Sequence, residues 1–168
     1  MTAYVALLRA MNVGGAGKLP MTDLKRMGLE CGFEDVRTFI ASGNLLFASN
    51  LPEAEVQKLV KEKLEVHFGR PVAVFVRSAD EMAATAAANP FPDDKPSRVM
   101  AHFIDEEPTP AMLTEARDVA GERMALGPRS IIVSYGEGIG RTKLKLPAVN
   151  HGTARNMNSV AKMAAMLA

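Results

Sequence analysis

The 168-residue sequence is poor in side chains that bind metals, form disulfides or stack on bases. It has one cysteine, three histidines, no tryptophan and only 5% aromatic residues. The lone Cys31 excludes an intrachain disulfide and a multi-cysteine metal site. Its place on the core side of a predicted amphipathic helix reads as an inert packing thiol. Scarce aromatics argue against a surface that stacks exposed bases. No stretch approaches the roughly 18 to 20 consecutive apolar residues of a membrane span. The start, Met1 to Asn12, lacks the basic region and cleavage site of a signal peptide. The expectations are a cytoplasmic protein with no membrane association, no metal and no cofactor.

Charge is nearly balanced at +1 but unevenly spread. Gly138–Ala168 carries five Lys or Arg and no acid, and Met1–Met21 carries Arg9 and Lys18 and no acid. The middle has 13 basic against 19 acidic residues. The low net charge excludes a general polyanion-coating protein, and the basic ends suit a local anionic partner.

Hydrophobic patterning divides the chain into two halves, 1–77 and 78–168. Ala3–Arg9 is a continuous apolar run, read as a buried strand. Leu24, Met27 and Cys31 recur at helical spacing, and Gly32 stops that helix. Val36–Ala41 and Leu45–Ser49 read as strands around the hairpin signal Ser42-Gly43-Asn44. A helix capped by Asn50 with Glu53 follows, lined by Val56, Leu59, Val60, Leu64 and Phe68 and closed by Gly69. Pro71–Val76 is a further strand. The order is βαββαβ, a ferredoxin-like α+β half.

The second half runs through similar elements. Ser78 with Glu81 caps a short alanine-rich helix, Arg98–Ile104 is a strand, and Pro108 to about Ala120 is a helix. Two strands flank Gly127-Pro128, and a last helix carries Met157, Val160, Ala164 and Leu167. The expectation is a duplicated ferredoxin-like arrangement packed as one compact unit.

The stretch from Arg9 to Met21, RAMNVGGAGKLPM, resembles a phosphate loop but fails both nucleotide patterns. A Walker A loop, G-x-x-x-x-G-K-[ST], anchored on Gly17-Lys18 puts Asn12 at its first glycine and Leu19 at its hydroxyl. The dinucleotide pattern G-x-G-x-x-G from Gly15 puts Pro20 at its third glycine. The later GEGIG fails in the same way at Arg141. What survives is a glycine-bearing connection whose amides can converge on an anion, flanked by Arg9 and Lys18.

Topology adds a second wall. In a βαββαβ sheet the first and second strands are parallel with the third between them. The end of the first strand and the turn after the second then share an edge, about two strand spacings or roughly 10 Å apart. Arg9, Asn12, Gly14, Gly15 and Lys18 would face Ser42, Gly43 and Asn44 across a polar rim. A third element, His151–Met163, places Thr153 as N-cap with Arg155, Asn156 and Asn158 in the first turn or two of the last helix. Asparagines and a cation at a helix start oppose local propensity, which marks a functional position.

These motifs resemble the bacterial family called domain of unknown function 1697. Its pattern reads R-G-I-N-V-G-G in the first loop, S-G-N in the hairpin and T-x-R-N-W-x-T near the end. Arg9, Asn12, Val13, Gly14 and Gly15 match, as do Ser42, Gly43, Asn44, Thr153, Arg155 and Asn156. Ala10 and Met11 replace glycine and isoleucine, Met157 stands for tryptophan and Ser159 for threonine. The resemblance implies a ferredoxin-like α+β fold and no established activity. The leading expectation is a small anionic, phosphate-bearing ligand bound by Arg9, Asn12, Lys18, Ser42, Asn44, Arg155 and Asn156, with nucleic acid as one version. The alternatives are an enzyme at the same rim, with His151 as acid–base and Ser42 as nucleophile, and a structural or protein-interaction module.

Overall fold

The structure is a computed structural model that describes residues 1–9, 19–40, 43–138 and 140–168. It divides into two units, Met1–Asp80 with Ala165–Ala168, and Glu81–Ala164. Among the described residues no helix is long and apolar enough to cross a membrane.

The first unit contains β1 (Thr2–Leu8), α1 (Met21–Glu30), β2 (Glu34–Thr38), β3 (Asn44–Ser49), α2 (Glu53–Phe68) and β4 (Val74–Ser78). Its antiparallel sheet has the order β2-β3-β1-β4. Alternation explains why β1 is apolar throughout. Tyr4, Ala6 and Leu8 point to the helices and pack with Phe47, Leu45, Val74 and Val76. Val5 and Leu7 point to the other face and are equally buried. Leu24 and Met27 of α1 and Val56, Val60 and Leu64 of α2 complete the helix-side core. Gly28 has to lack a side chain, because a Cβ there would lie 2.9 Å from Val36 Cγ1. Arg37, on the edge strand β2, donates through Nη1 to the Met166 carbonyl at 2.8 Å, so the chain's last residues cover that edge.

Three local boundaries differ from expectation. Helix α2 begins at Glu53 with Pro52 as N-cap rather than Asn50. Pro52 already has the fixed φ of a helix entry, and its carbonyl accepts from the Glu55 and Val56 amides. Strand β2 starts earlier, at Glu34, because Asp35 at φ 50° sits in a register irregularity between Glu34 and Arg37. Strand β4 starts at Val74 rather than Pro71, since proline has no amide to give to the ladder.

The second unit contains most of α3 (Ala79–Ala87), then β5 (Val99–Phe103), α4 (Pro110–Thr114), β6 (Arg123–Gly127), β7 (Ser130–Ser134), β8 (Thr153–Asn156) and most of α5 (Met157–Leu167). Its sheet order is β6-β7-β5-β8. Counted within each unit, that is the same permutation as the first sheet, so the ferredoxin-like strand arrangement is built twice.

The connections, however, differ. Where α2 links β3 to β4, residues 135–152 link β7 to β8 through two short 3-10 turns. Leu144, Leu146, Ala148 and Val149 of this link pack on Ile131 and Val133. The helix predicted over Pro108–Ala120 is only Pro110–Thr114. Arg117 instead exchanges both backbone hydrogen bonds with Lys145, at 2.8 and 2.9 Å. Asp118 at φ 56° and Gly121 at φ 96° then turn the chain towards β6.

Candidate functional site

The end of β1 and the hairpin are joined directly. Register pairs Leu7 with Asn44, and the Leu8 amide donates to the Gly43 carbonyl at 2.9 Å. The next residue, Arg9, donates its amide to the Ala73 carbonyl at 3.0 Å. Gly43 has φ 89°, a conformation that favours glycine. As the βαββαβ order implies, the neighbour of β1 is β3, the outgoing arm of the hairpin, so that arm of the turn lies one strand spacing from β1.

Asn44 is fully buried, and its Nδ2 donates to the Phe39 carbonyl at 2.8 Å while the Phe39 amide donates to the Asn44 carbonyl at 3.1 Å. Those bonds give Asn44 a turn-closing role. Leu19, read in sequence only as the residue that defeats a Walker A loop, is 1% exposed in the helix-side core. The connection after β1 is thus anchored at both ends. Asn12, Gly14, Gly15, Lys18 and Ser42 lie outside the described residues.

The third motif folds differently from expectation. Thr153 does not cap a helix; Thr153–Asn156 is strand β8, with Thr153 opposite Phe103 and Arg155 opposite Ala101. Gly152 admits this pairing, since a Cβ there would lie 2.3 Å from the Phe103 carbonyl oxygen. Arg155 faces a buried side of the sheet at 6% exposure. Its Nη1 donates to Thr153 Oγ1 at 2.8 Å and to the Ala154 carbonyl at 2.9 Å. Burial lowers its pKa to about 10, which leaves the guanidinium charged at neutral pH.

Asn156 is the residue that caps α5: its Oδ1 accepts from the Ser159 amide at 2.9 Å. Asparagine is a preferred N-cap, so the residue that looked misplaced in a first turn is well placed one position outside it. His151 is exposed in the turn before β8.

Sequence reasoning assigned no partner to His102. On β5, its Nε2 lies 2.9 Å from the Tyr135 hydroxyl. Desolvation lowers the imidazole pKa to about 4 and raises that of the Tyr135 phenol. The signal available was the period-two alternation of β5, which sets His102 on the same face as its cross-strand partner Ile131. Cys31 is half-buried, and burial pushes its thiol pKa up, away from nucleophilic character. Among the described residues no three His, Cys, Asp or Glu side chains gather as a metal site.

Comparison with known proteins agrees with this architecture. Residues 1–131 match the sequence pattern of a family described as protein of unknown function, DUF1697. No curated protein matches the chain. Among solved structures, a conserved bacterial protein of Streptococcus pneumoniae is similar at 25% identity, with 99% of each chain covered and a TM-score of 0.83. The family match includes the first loop and the hairpin, and stops before β8.

Proposed function

The chain belongs to the DUF1697 family of proteins of unknown function, and from that premise we propose that it binds a small anionic, phosphate-bearing ligand where β1 ends against the Gly43 hairpin. The observation that carries the reading is the Leu8–Gly43 hydrogen bond. It sets the end of β1, from which the first glycine-bearing connection leaves, beside Gly43 of the hairpin, and that supports the reading. Arg9 and Lys18 supply charge, Asn12 and Ser42 supply polar side chains, and Gly14 and Gly15 supply amides free of Cβ hindrance. Asn44 shapes the turn rather than touching the ligand. Arg155 and Asn156 have the strand and cap roles described above, and the rim does not require them.

A small ligand is favoured over RNA because only 5% of residues are aromatic. Binding is favoured over turnover because the motifs of the rim carry no carboxylate that would orient a general base. A cytoplasmic location belongs to the same reading, as the single cysteine can form no intrachain disulfide.

A thermal-shift titration with inorganic phosphate, a nucleoside monophosphate and a sugar phosphate tests it. The expected result is a Tm rise that shrinks with added salt and is lost in Arg9→Ala. A rise undiminished in both Arg9→Ala and Lys18→Ala removes the rim as the site.

A further inference from the structure

Residues 141–146 read Arg-Thr-Lys-Leu-Lys-Leu, and their exposure follows the same period of two. Arg141, Lys143 and Lys145 are exposed, while Thr142 and Leu144 are partly covered and Leu146 is buried. That alternation belongs to an extended segment with one face on a core. Leu144 and Leu146 pack on Ile131 and Val133, and the Arg117–Lys145 backbone pair holds the segment in place. Cations therefore recur along one side at about 7 Å, two residues of extended chain.

Beside this segment lies a hollow of about 390 Å³, bounded by Asp118–Ala120 and Glu122 on one side and by Gly138 and Arg141–Lys143 on the other. All of these residues belong to the second unit. The volume falls in the range of small-molecule sites, roughly 300 to 1,000 Å³.

The acids of this wall are already engaged. Glu122 accepts from the Ala120 amide at 2.8 Å and from Thr142 Oγ1 at 3.2 Å. Asp118 pairs with Lys145 at 3.7 Å. Arg141 and Lys143, by contrast, reach no carboxylate in an ion pair among the described residues. From Gly138 to Ala168 the sequence offers them no acid at all. Val119 and Ala120 add an apolar side to the hollow.

We propose that this hollow is a second site, taking a small organic phosphate whose anionic head lies on Arg141 and Lys143 and whose compact apolar body lies on Val119 and Ala120. Arginine contributes a bidentate fork and lysine a point charge, the pairing that suits a phosphate monoester. The engaged acids direct their oxygens to Ala120, Thr142 and Lys145, which leaves the two cations to the ligand. This site shares no residue with the β1 rim and does not rest on it.

Calorimetric titration with phenyl phosphate is the test, with inorganic phosphate, phenol and a single-stranded oligonucleotide as comparison probes. The titrations are made on Arg9→Ala, in which the β1 rim is disabled, and this variant is expected to bind phenyl phosphate. Adding Arg141→Ser/Lys143→Ser to it is expected to weaken that binding about tenfold or more, the loss of charge-assisted hydrogen bonds. Both side chains are exposed, so an unchanged Tm without ligand establishes that the combined variant is folded.

Four results overturn the proposal: no binding of phenyl phosphate by Arg9→Ala, binding undiminished when Arg141→Ser/Lys143→Ser is added to it, inorganic phosphate binding Arg9→Ala as tightly as phenyl phosphate does, or binding of the oligonucleotide alone. The third result would mean that the apolar wall is unused. The fourth would make the segment a track for a nucleic-acid backbone.

Discussion

His102 Nε2 and the Tyr135 hydroxyl meet at 2.9 Å on the face of the second sheet that is covered by the 135–152 connection. The contact joins the central strand β5 to the first residue after β7. It puts a titratable ring where water is largely excluded.

The consequence is a pH dependence with a definite sign. Desolvation holds the folded imidazole near 4, against an ordinary value of 6.5. Between those values the unfolded chain binds more protons than the folded one, so stability falls as pH drops through that window and is level above it. The full difference is on the order of 3 kcal/mol. Asp94 and Glu122 have lowered carboxyl pKa values, chiefly from the Ser134 hydroxyl and the Ala120 amide respectively, so their share is lost only at more acid pH. Denaturant midpoints at pH 5, 6 and 7 are expected to rise in wild type and to be nearly flat in His102→Phe. An equal slope in both proteins would assign the dependence to other groups.

Asn156 is predicted to act through α5 alone. Asn156→Ala removes the acceptor for the Ser159 amide, with an expected loss of about 1 kcal/mol, and Asn156→Asp or Asn156→Ser restores most of it. Urea denaturation measures each value. If Asn156→Ala leaves the midpoint unchanged, the capping bond is not a stabilising one in solution.

Local rules made much of the fold readable. The continuous run in β1 and the Gly127-Pro128 turn carry their own signals, and βαββαβ order implies that β1 lies beside β3. What sequence reading missed depends on distant partners. Thr-Ala-Arg-Asn has no strand pattern of its own; pairing with Val99–Phe103 makes it one, and alternation then turns Arg155 inward. The end of α4 is likewise set by Lys145, far along the chain, rather than by a local stop residue. At the candidate rim, Gly43 and Asn44 carry a turn signal of their own. Asn44 reads in sequence as a ligand donor as well, because the demands of a hairpin and those of a ligand select the same residue types.

Gly152 is predicted to be irreplaceable for steric reasons. A Cβ at this position meets a backbone oxygen at 2.3 Å, which no side-chain rotation can relieve. Gly152→Ala is expected to lose about 1 to 3 kcal/mol as β8 is pushed from β5. Gly140→Ala, with nothing within 4 Å of its Cβ, is expected to stay within about 0.5 kcal/mol of wild type. Equal midpoints for the two variants would show that β8 yields without cost.

Asn44 separates the two meanings of the hairpin motif. As a turn-closing residue, its amide satisfies the Phe39 carbonyl from a fully buried position. Asn44→Ala leaves that carbonyl without its donor, at an expected cost of about 1 to 3 kcal/mol. Asn44→Asp is expected to cost at least as much near neutral pH, since it replaces the donor with a buried carboxylate facing a carbonyl oxygen, and to recover partly in acid as the carboxyl protonates and can donate. Arg9→Ala is expected to weaken anion binding with little change in unfolding midpoint. Arg9 follows Leu7, the residue opposite Asn44, by two positions, yet the variants of Arg9 and Asn44 should divide cleanly, affinity for one and stability for the other. Measuring urea midpoints and phosphate affinity on both proteins checks this. Loss of affinity with full stability in Asn44→Ala would return that side chain to the ligand.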